Sequence, residues 1–218
     1  MIVTKIEYQK RDPNRVNLYI DNRFFCGISI DTLAKELLYE GLSIDEDTLE
    51  RITYEELNDR FFNRVIDYLS KSPKTELQIN RYLKDLKFKK RGIWYKEDIQ
   101  IDWEKMFNEI LGRLKGLMLL NDEEYARMFV QSRLRSRPRG KNVLISELIS
   151  KGVSKDIAQR VCDEEIEDEY EVLKKTFRKR FKERKFDRND SKMVGFLLRK
   201  GFSWDLIEKL EYDTQEQE

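Results

Sequence analysis

Two blocks of basic residues carry the clearest chemistry in the chain, because closely spaced cations attract polyanions. In the first block, between residues 133 and 141, basic residues alternate with others and no acidic residue occurs. Pro138 and Gly140 within it are helix-ending residues, so the block is predicted to be a joint between two helices that presents several guanidinium groups together. Its basic residues are Arg133, Arg135, Arg137, Arg139 and Lys141.

The second block lies on a predicted helix with an aromatic stripe. Tyr170, Leu173, Phe177 and Phe181 recur at helical spacing, and lysines and arginines fill most positions between them. Such a helix must expose its charge to solvent or to a polyanion, since only its apolar side can be buried. The basic residues singled out here are Lys174, Lys175, Arg178, Lys179, Lys182 and Lys185.

Either block can instead be a solvated surface whose charges pair within the chain. An acidic run over residues 163–171 lies between the two blocks and offers partners. We interpret this run as a solvated helix start, where carboxylates interact favourably with the helix dipole. An external anion and internal pairing therefore both stay open for the two basic blocks.

Composition excludes several common kinds of enzyme site. The 218 residues include no histidine and two cysteines, so Ser–His–Asp triads, Cys–His dyads and the common zinc sites cannot form. No glycine-rich phosphate loop is present. We therefore predict no enzyme, no catalytic residue, no metal and no cofactor. A magnesium-dependent nuclease built from carboxylates is the remaining enzymatic alternative, but no clustered ligand spacing indicates one.

Charge and hydropathy indicate the setting of the protein. Charged residues make up 39% of the chain, which suits thin helical modules with much surface, and 43 basic against 42 acidic residues leave a net charge of +1. No apolar run is long enough to cross a membrane, and Cys26 and Cys162 suit a reducing compartment. We expect a cytoplasmic monomer that does not bind membranes.

The first 52 residues are predicted to form a small β-meander followed by helix. Alternating apolar residues mark three short strands up to residue 30, and a helix is predicted over residues 31–39. A short helix containing Leu49 and Ile52 follows. The pair Thr53 and Glu56 then has the spacing of a capping box, which predicts that a new helix begins at Thr53.

The rest of the chain contains a repeat. Residues 152–161 align with residues 201–210 at a constant offset, and the glycine, serine, aspartate and apolar positions correspond. The pattern predicts a mainly α protein with three tandem three-helix repeats in an elongated curved array. The predicted regions are a meander and helix (1–52), repeat 1 (53–117) with a β-hairpin insertion (89–101), repeat 2 (118–165), repeat 3 (166–212) and an acidic tail (213–218).

Four sequence segments resemble the RecX family. The segment LLNDEEYA (119–126), the arginine-rich joint (133–141) and the segment ELISKGV (147–153) are similar to the signature of its second repeat. Residues 68–83, with Tyr68, Pro73, Thr75 and Leu83, are similar to part of its first repeat. The repeat architecture covers residues 53–212, which is most of the chain.

The resemblance implies a regulator of the RecA recombinase rather than an enzyme. Members of this family bind the RecA–DNA nucleoprotein filament and inhibit the ATPase, strand-exchange and coprotease activities of RecA, which tunes DNA repair and the SOS response. The implied partners are the RecA filament and DNA, single- or double-stranded, without sequence preference. The alternative is a nucleic-acid-binding helical repeat protein that has no recombinase partner.

Overall fold

The computed structural model describes residues 1–94, 100–182 and 184–215, which form three strands and ten helices. Two compact units divide the chain: one holds residues 1–72 and 81–113, and the other holds residues 73–80 and those from 114 onward. The elements are β1 (Val3–Tyr8), β2 (Arg15–Ile20), β3 (Arg23–Ser29), α1 (Ile30–Lys35), α2 (Glu46–Leu69), α3 (Glu76–Lys90), α4 (Trp103–Gly116), α5 (Asp122–Ser136), α6 (Lys141–Ser150), α7 (Lys155–Glu165), α8 (Glu169–Phe181), α9 (Ser191–Arg199) and α10 (Trp204–Gln215).

The amino-terminal strands form the predicted meander. They pair antiparallel in the order β1-β2-β3, with Leu18 of β2 opposite Ile6 of β1 and Cys26 of β3. Val16 and Leu18 alternate with half-buried residues along β2 and are fully buried in a core that includes Ile52 of α2. Burial against α2 gives this small sheet the apolar partner that three strands alone lack.

The predicted helix break before Thr53 is wrong, because α2 runs without interruption through that position. Its true N-cap is Asp45, whose carboxylate accepts a hydrogen bond from the Thr48 amide at 2.9 Å. The Thr53 hydroxyl instead donates to the Leu49 carbonyl at 2.8 Å, inside the helix. Buried residues before and after Thr53 lie on one helical stripe, so packing favours continuing the helix over capping it there.

The predicted hairpin over residues 89–101 includes residues 95–99, which lie outside the described part of the chain. Lys89 and Lys90 belong to the end of α3, and residues 92–94 form a turn. The Trp94 ring packs edge-on against Phe61 of α2, with ring centroids 5.5 Å apart.

The second unit contains two three-helix bundles, α5–α7 and α8–α10, and each has a core of its own. Leu144 and Leu148 of α6 lie in one core, and Met193 and Leu197 of α9 occupy the corresponding places in the other. These bundles confirm the second and third of the predicted three-helix repeats. The repeat boundaries stay predictions.

The two bundles share a glycine turn after their second helix. Gly152 and Gly201 have φ of +100° and +90°, a left-handed conformation that glycine adopts without steric cost. The amide after each glycine returns to the helix: Val153 donates to Leu148 at 3.1 Å, and Phe202 donates to Leu197 at 3.3 Å. This hydrogen bond is that of a Schellman C-cap, and it explains why the repeat is so regular here.

Candidate functional site

The basic joint lies between α5 and α6, as its proline and glycine predict. Arg137 is the C-cap of α5 and Gly140 is the N-cap of α6, and Pro138 between them is buried. The Arg137 amide donates to the carbonyl of Arg133 at 2.8 Å and ends the helix. Five predicted site residues therefore come from one helix end, the connection and one helix start.

A single carboxylate holds two of the five joint residues. Glu147 of α6 accepts from Arg133 Nε at 3.0 Å with Oε2, and Arg139 Nη1 lies 2.5 Å from Oε1. The two arginine side chains are only 29% and 30% exposed. Internal pairing thus accounts for these two arginines at least in part, and Glu147 fixes the orientation of both guanidinium groups.

Lys141 is also paired within the chain. Its Nζ lies 2.8 Å from Asp163, and its backbone amide donates to Glu169 at 2.7 Å. Both carboxylates belong to the acidic run, so that run supplies internal partners here. Arg135 and Arg137, by contrast, are exposed and have no carboxylate partner within the described residues.

The basic residues of α8 fall into two groups. Lys174 is half-buried, forms an ion pair with Glu171 and lies 4.8 Å from the centre of the Tyr170 ring. The other group lies on the side opposite the buried Leu173 and Phe177, and its members are exposed without a carboxylate partner in the described part of the chain. We call this group the basic face of α8; it consists of Lys175, Arg178, Lys179 and Lys182, at spacings of 3, 1 and 3.

The structure brings the joint and the basic face of α8 together. Lys179 Nζ donates to the carbonyl of Ser136, the last residue of α5, at 3.0 Å. Lys185 lies beyond the end of α8 and is exposed. The two blocks, which are more than thirty residues apart in sequence, therefore meet at one place.

Lys200, at the end of α9, joins this place and was not among the predicted residues. Its carbonyl accepts from the Gly140 amide at 2.8 Å, which seats the α9–α10 turn against the joint. Partial burial lowers the pKa of the Lys200 ammonium, and the nearby positive charges of Arg139, Arg137 and Lys179 lower that pKa further. We call Arg137, Arg139, Lys179 and Lys200 the cationic cluster.

A close backbone approach forms the cationic cluster. A Cβ on Gly140 would lie 2.4 Å from the carbonyl oxygen of Gly201, so only glycine lets the joint and the turn meet. The repeat offers the signal by which Lys200 could have been found. Extending the alignment back by one residue places Lys151 opposite Lys200, and each Nζ lies 5.4 Å from a phenylalanine ring, Phe129 or Phe196.

Other kinds of site find no support in the described residues. Within residues 1–94, 100–182 and 184–215, no three cysteine, aspartate or glutamate side chains are grouped so that they could hold a metal ion. The helices of the same ranges include none that combines the length and the apolarity needed to cross a bilayer. The thiols of Cys26 and Cys162 are free, and burial raises their pKa values to about 12 and about 11, so neither is an activated nucleophile.

Comparison with family models assigns three parts of the chain. Residues 1–45 match the N-terminal domain of regulatory protein RecX, residues 121–161 match the second three-helix domain of RecX, and residues 167–210 match its third three-helix domain. The last two matches correspond to α5–α7 and α8–α10. The cationic cluster therefore lies where the family's second and third domains meet.

Curated relatives agree with the family models. Regulatory protein RecX of Clostridium perfringens is 32% identical over 139 residues, which are 64% of this chain and 59% of the relative. That of Bacillus licheniformis is 29% identical over 66% of this chain, so the chain matches 50% of that relative's length. That of Bacillus pumilus is 28% identical over 99% of this chain and 80% of the relative.

Solved structures show the same fold. A crystal structure of regulatory protein RecX has a TM-score of 0.72 and 25% identity, and the match covers 96% of this chain and 98% of that one. The crystal structure of RecX from Lactobacillus salivarius has a TM-score of 0.54 over 72% of this chain. Because this second structure is only 24% identical to the chain in sequence, the match is evidence for the fold alone.

Proposed function

Because this chain belongs to the RecX family, we propose that it is a regulatory protein that binds the RecA–DNA nucleoprotein filament. Binding inhibits the ATPase, strand-exchange and coprotease activities of RecA and so tunes DNA repair and the SOS response. The protein acts by occupying a surface of the filament and catalyses no reaction itself.

The observation that carries this proposal is the meeting of two basic blocks at the border between the second and third repeats. A filament of protein on DNA is a polyanion with regularly spaced phosphates, and unpaired cations attract such a partner. Contact between α5 and α8 gathers cations from both repeats on one surface. Positive charge is thus concentrated at the border between two repeats, where both repeats can bind the same long partner.

The ion pairs within the chain support a division of the predicted residues into binding residues and positioning residues. We propose that the exposed cations without a carboxylate partner contact the filament: Arg135, Arg137, Lys175, Arg178, Lys179 and Lys182. Residues held by carboxylates shape the surface instead: Arg133, Arg139, Lys141 and Lys174. Lys185 extends the surface beyond α8.

The test is the DNA-dependent ATPase of RecA on single-stranded DNA, with this protein titrated below the concentration of RecA. The variant carries Arg135→Gln and Arg137→Gln, because these two residues have no carboxylate that the change would leave unpaired. The matched control carries Lys155→Gln and Lys192→Gln, which remove the same charge from exposed helix starts elsewhere in the same unit.

Inhibition by the wild type and the control, weakened about tenfold in the variant, supports the proposal and its site. Equal inhibition by all three proteins would support the proposed regulation of RecA but would show that the joint is not part of the binding interface. Inhibition that begins only when the protein coats the free DNA indicates the alternative, a nucleic-acid-binding repeat protein without a recombinase partner. The unpaired basic face of α8 is the observation that favours this alternative.

A further inference from the structure

The cationic cluster brings four side chains from three parts of the chain together. Arg137 and Arg139 come from the joint, Lys179 from the last turn of α8, and Lys200 from the turn after α9. Two hydrogen bonds hold these parts: Lys179 Nζ donates to the Ser136 carbonyl at 3.0 Å, and the Gly140 amide donates to the Lys200 carbonyl at 2.8 Å. The fold therefore brings the three parts of the chain to one place.

Internal acids do not neutralise the cationic cluster. Glu147 pairs with Arg139, but it also pairs with Arg133 outside the cluster. The other three cations have no carboxylate paired with them in the described ranges. Glu147 attracts Lys200, but Arg139, Arg137 and Lys179 each act on Lys200 more strongly. A fold retains an arrangement of this kind at a cost in stability, and an external anion relieves that cost when it binds.

We propose that the cationic cluster is a binding site for the sugar–phosphate backbone of nucleic acid, with Lys200 as a phosphate-binding residue. This inference rests on the proposed function in one respect, since it assumes that the joint faces the partner. It adds that the joint contacts phosphate groups of nucleic acid rather than carboxylates of a protein. Arginine forks and lysine point charges side by side suit the closely spaced oxygens of successive phosphates.

The surroundings of Lys200 favour backbone phosphate over bases. The ring of Phe196 is half-buried and lies 5.4 Å from Lys200 Nζ, so the cation covers the ring. Base stacking needs an open aromatic face, whereas phosphate contacts need only the cations. Binding at this site is therefore independent of sequence and strongly dependent on salt.

The experiment measures the anisotropy of a labelled single-stranded oligonucleotide without RecA, over a range of salt concentrations. Four proteins are compared: the wild type, Lys200→Gln, Lys200→Arg and the control Lys192→Gln, whose residue is an exposed lysine at the other end of α9. We expect Lys200→Gln to weaken binding about fivefold at low salt and to reduce the salt slope by about 0.7, the share of one phosphate contact on a single strand. Lys200→Arg and Lys192→Gln should bind like the wild type.

Equal affinity and equal salt slope for the wild type and Lys200→Gln overturn the inference. An equal loss in Lys200→Gln and Lys192→Gln also overturns it, because net charge alone then explains the effect. If Lys200→Gln binds DNA normally but no longer inhibits RecA, the cluster contacts carboxylates of a protein and the phosphate site is wrong. The titration contains no RecA, so its result does not depend on whether the protein regulates RecA as proposed.

Discussion

The second unit contains the same docking contact twice, and the two copies differ in charge. In each contact, the residue before a left-handed glycine is a lysine, and its backbone carbonyl accepts a hydrogen bond. The donor is the N-cap residue of a helix that comes earlier in the chain. Thr75 Oγ1 donates to the Lys151 carbonyl at 2.6 Å, and the Gly140 amide donates to the Lys200 carbonyl at 2.8 Å. We call these the first and the second docking contact.

Acids surround the first docking contact and cations surround the second. Beside Thr75, the Glu76 amide donates to Asp122 at 2.9 Å, and Glu76 pairs with Lys115 at 2.8 Å. Burial raises the pKa of the Asp122 carboxyl. A lysine carbonyl before a left-handed glycine is the acceptor in both contacts. It serves packing at the first contact, whereas positive charge gathers around it at the second, so function follows the charges placed on a repeat rather than its fold.

The largest expected effect comes from breaking the second docking contact at its glycine. Gly201→Ala places a side chain at φ +90°, and its Cβ would lie 2.6 Å from Val143 Cγ2 and 2.9 Å from the Val143 amide nitrogen. We expect a loss of about 3 kcal/mol in the free energy of unfolding, from backbone strain and steric overlap together. Urea denaturation followed by circular dichroism measures this loss.

Gly112→Ala is the control for that change. Gly112 lies inside α4 with open space around it and no positive φ, so alanine there should raise the free energy of unfolding by about 0.7 kcal/mol. A Gly201→Ala protein as stable as the wild type would contradict the role given to the left-handed turn.

A smaller effect is expected from removing the hydroxyl at the first docking contact. Thr75 is fully buried; besides its bond to Lys151, its Oγ1 accepts from the Gln78 amide at 3.3 Å, and the Thr75 amide donates back to Gln78 Oε1 at 3.1 Å. Thr75→Val should lower the free energy of unfolding by about 2 kcal/mol, because it removes the cap and leaves a carbonyl without its donor. Thermal and urea unfolding give the value.

Thr75→Ser keeps the hydroxyl and is the matched control, with a loss well below that of Thr75→Val. If the two docking contacts differ in function as proposed, Thr75→Val should leave oligonucleotide affinity unchanged under conditions where it stays folded. A loss of affinity like that of Lys200→Gln would show that both contacts serve binding.

Local patterns account for much of what these contacts use. The helix end at the joint was predicted from Pro138 and Gly140, and it is present. Like the capping box at Thr75 and the left-handed glycine at 152, it depends on neighbours within a few residues. The similar box at Thr53 failed because buried residues on both sides of it keep α2 continuous. A local signal is reliable only where tertiary packing does not oppose it.

The membership of the cationic cluster could not be predicted in the same way. Pairing of Arg133 and Arg139 with Glu147 depends on how α6 turns after the joint, and Lys200 reaches the joint only through the approach of Gly140 to Gly201. Sequence proximity therefore overstated the free charge of the joint and missed a cation from another repeat. The alignment of Lys151 with Lys200 identifies the equivalent turns of the two repeats. It does not predict that acidic residues lie near the first turn and basic residues near the second.

The smallest expected effect is a gain in stability when Lys200 loses its charge. Burial and three neighbouring cations disfavour charged Lys200 in the folded protein, so its pKa is lowered there relative to the unfolded chain. Between the lowered pKa and the unfolded value of about 10.4, the unfolded chain binds more protons, and wild-type stability must rise with pH in this window. Lys200→Met should therefore be more stable than the wild type near neutral pH, by about 0.5 kcal/mol.

The advantage of Lys200→Met should shrink as pH rises through that window, because the wild-type lysine then becomes neutral as well. Urea denaturation of both proteins at neutral pH and near pH 10 measures the difference, and Lys192→Met is the control because Lys192 is exposed on the same helix. A Lys200→Met protein that is less stable than the wild type at neutral pH would mean that Lys200 stabilises the second docking contact through its stem. In that case the positive charge of the cationic cluster would not oppose folding. The two docking contacts would then differ in how their side chains pack rather than in their charge.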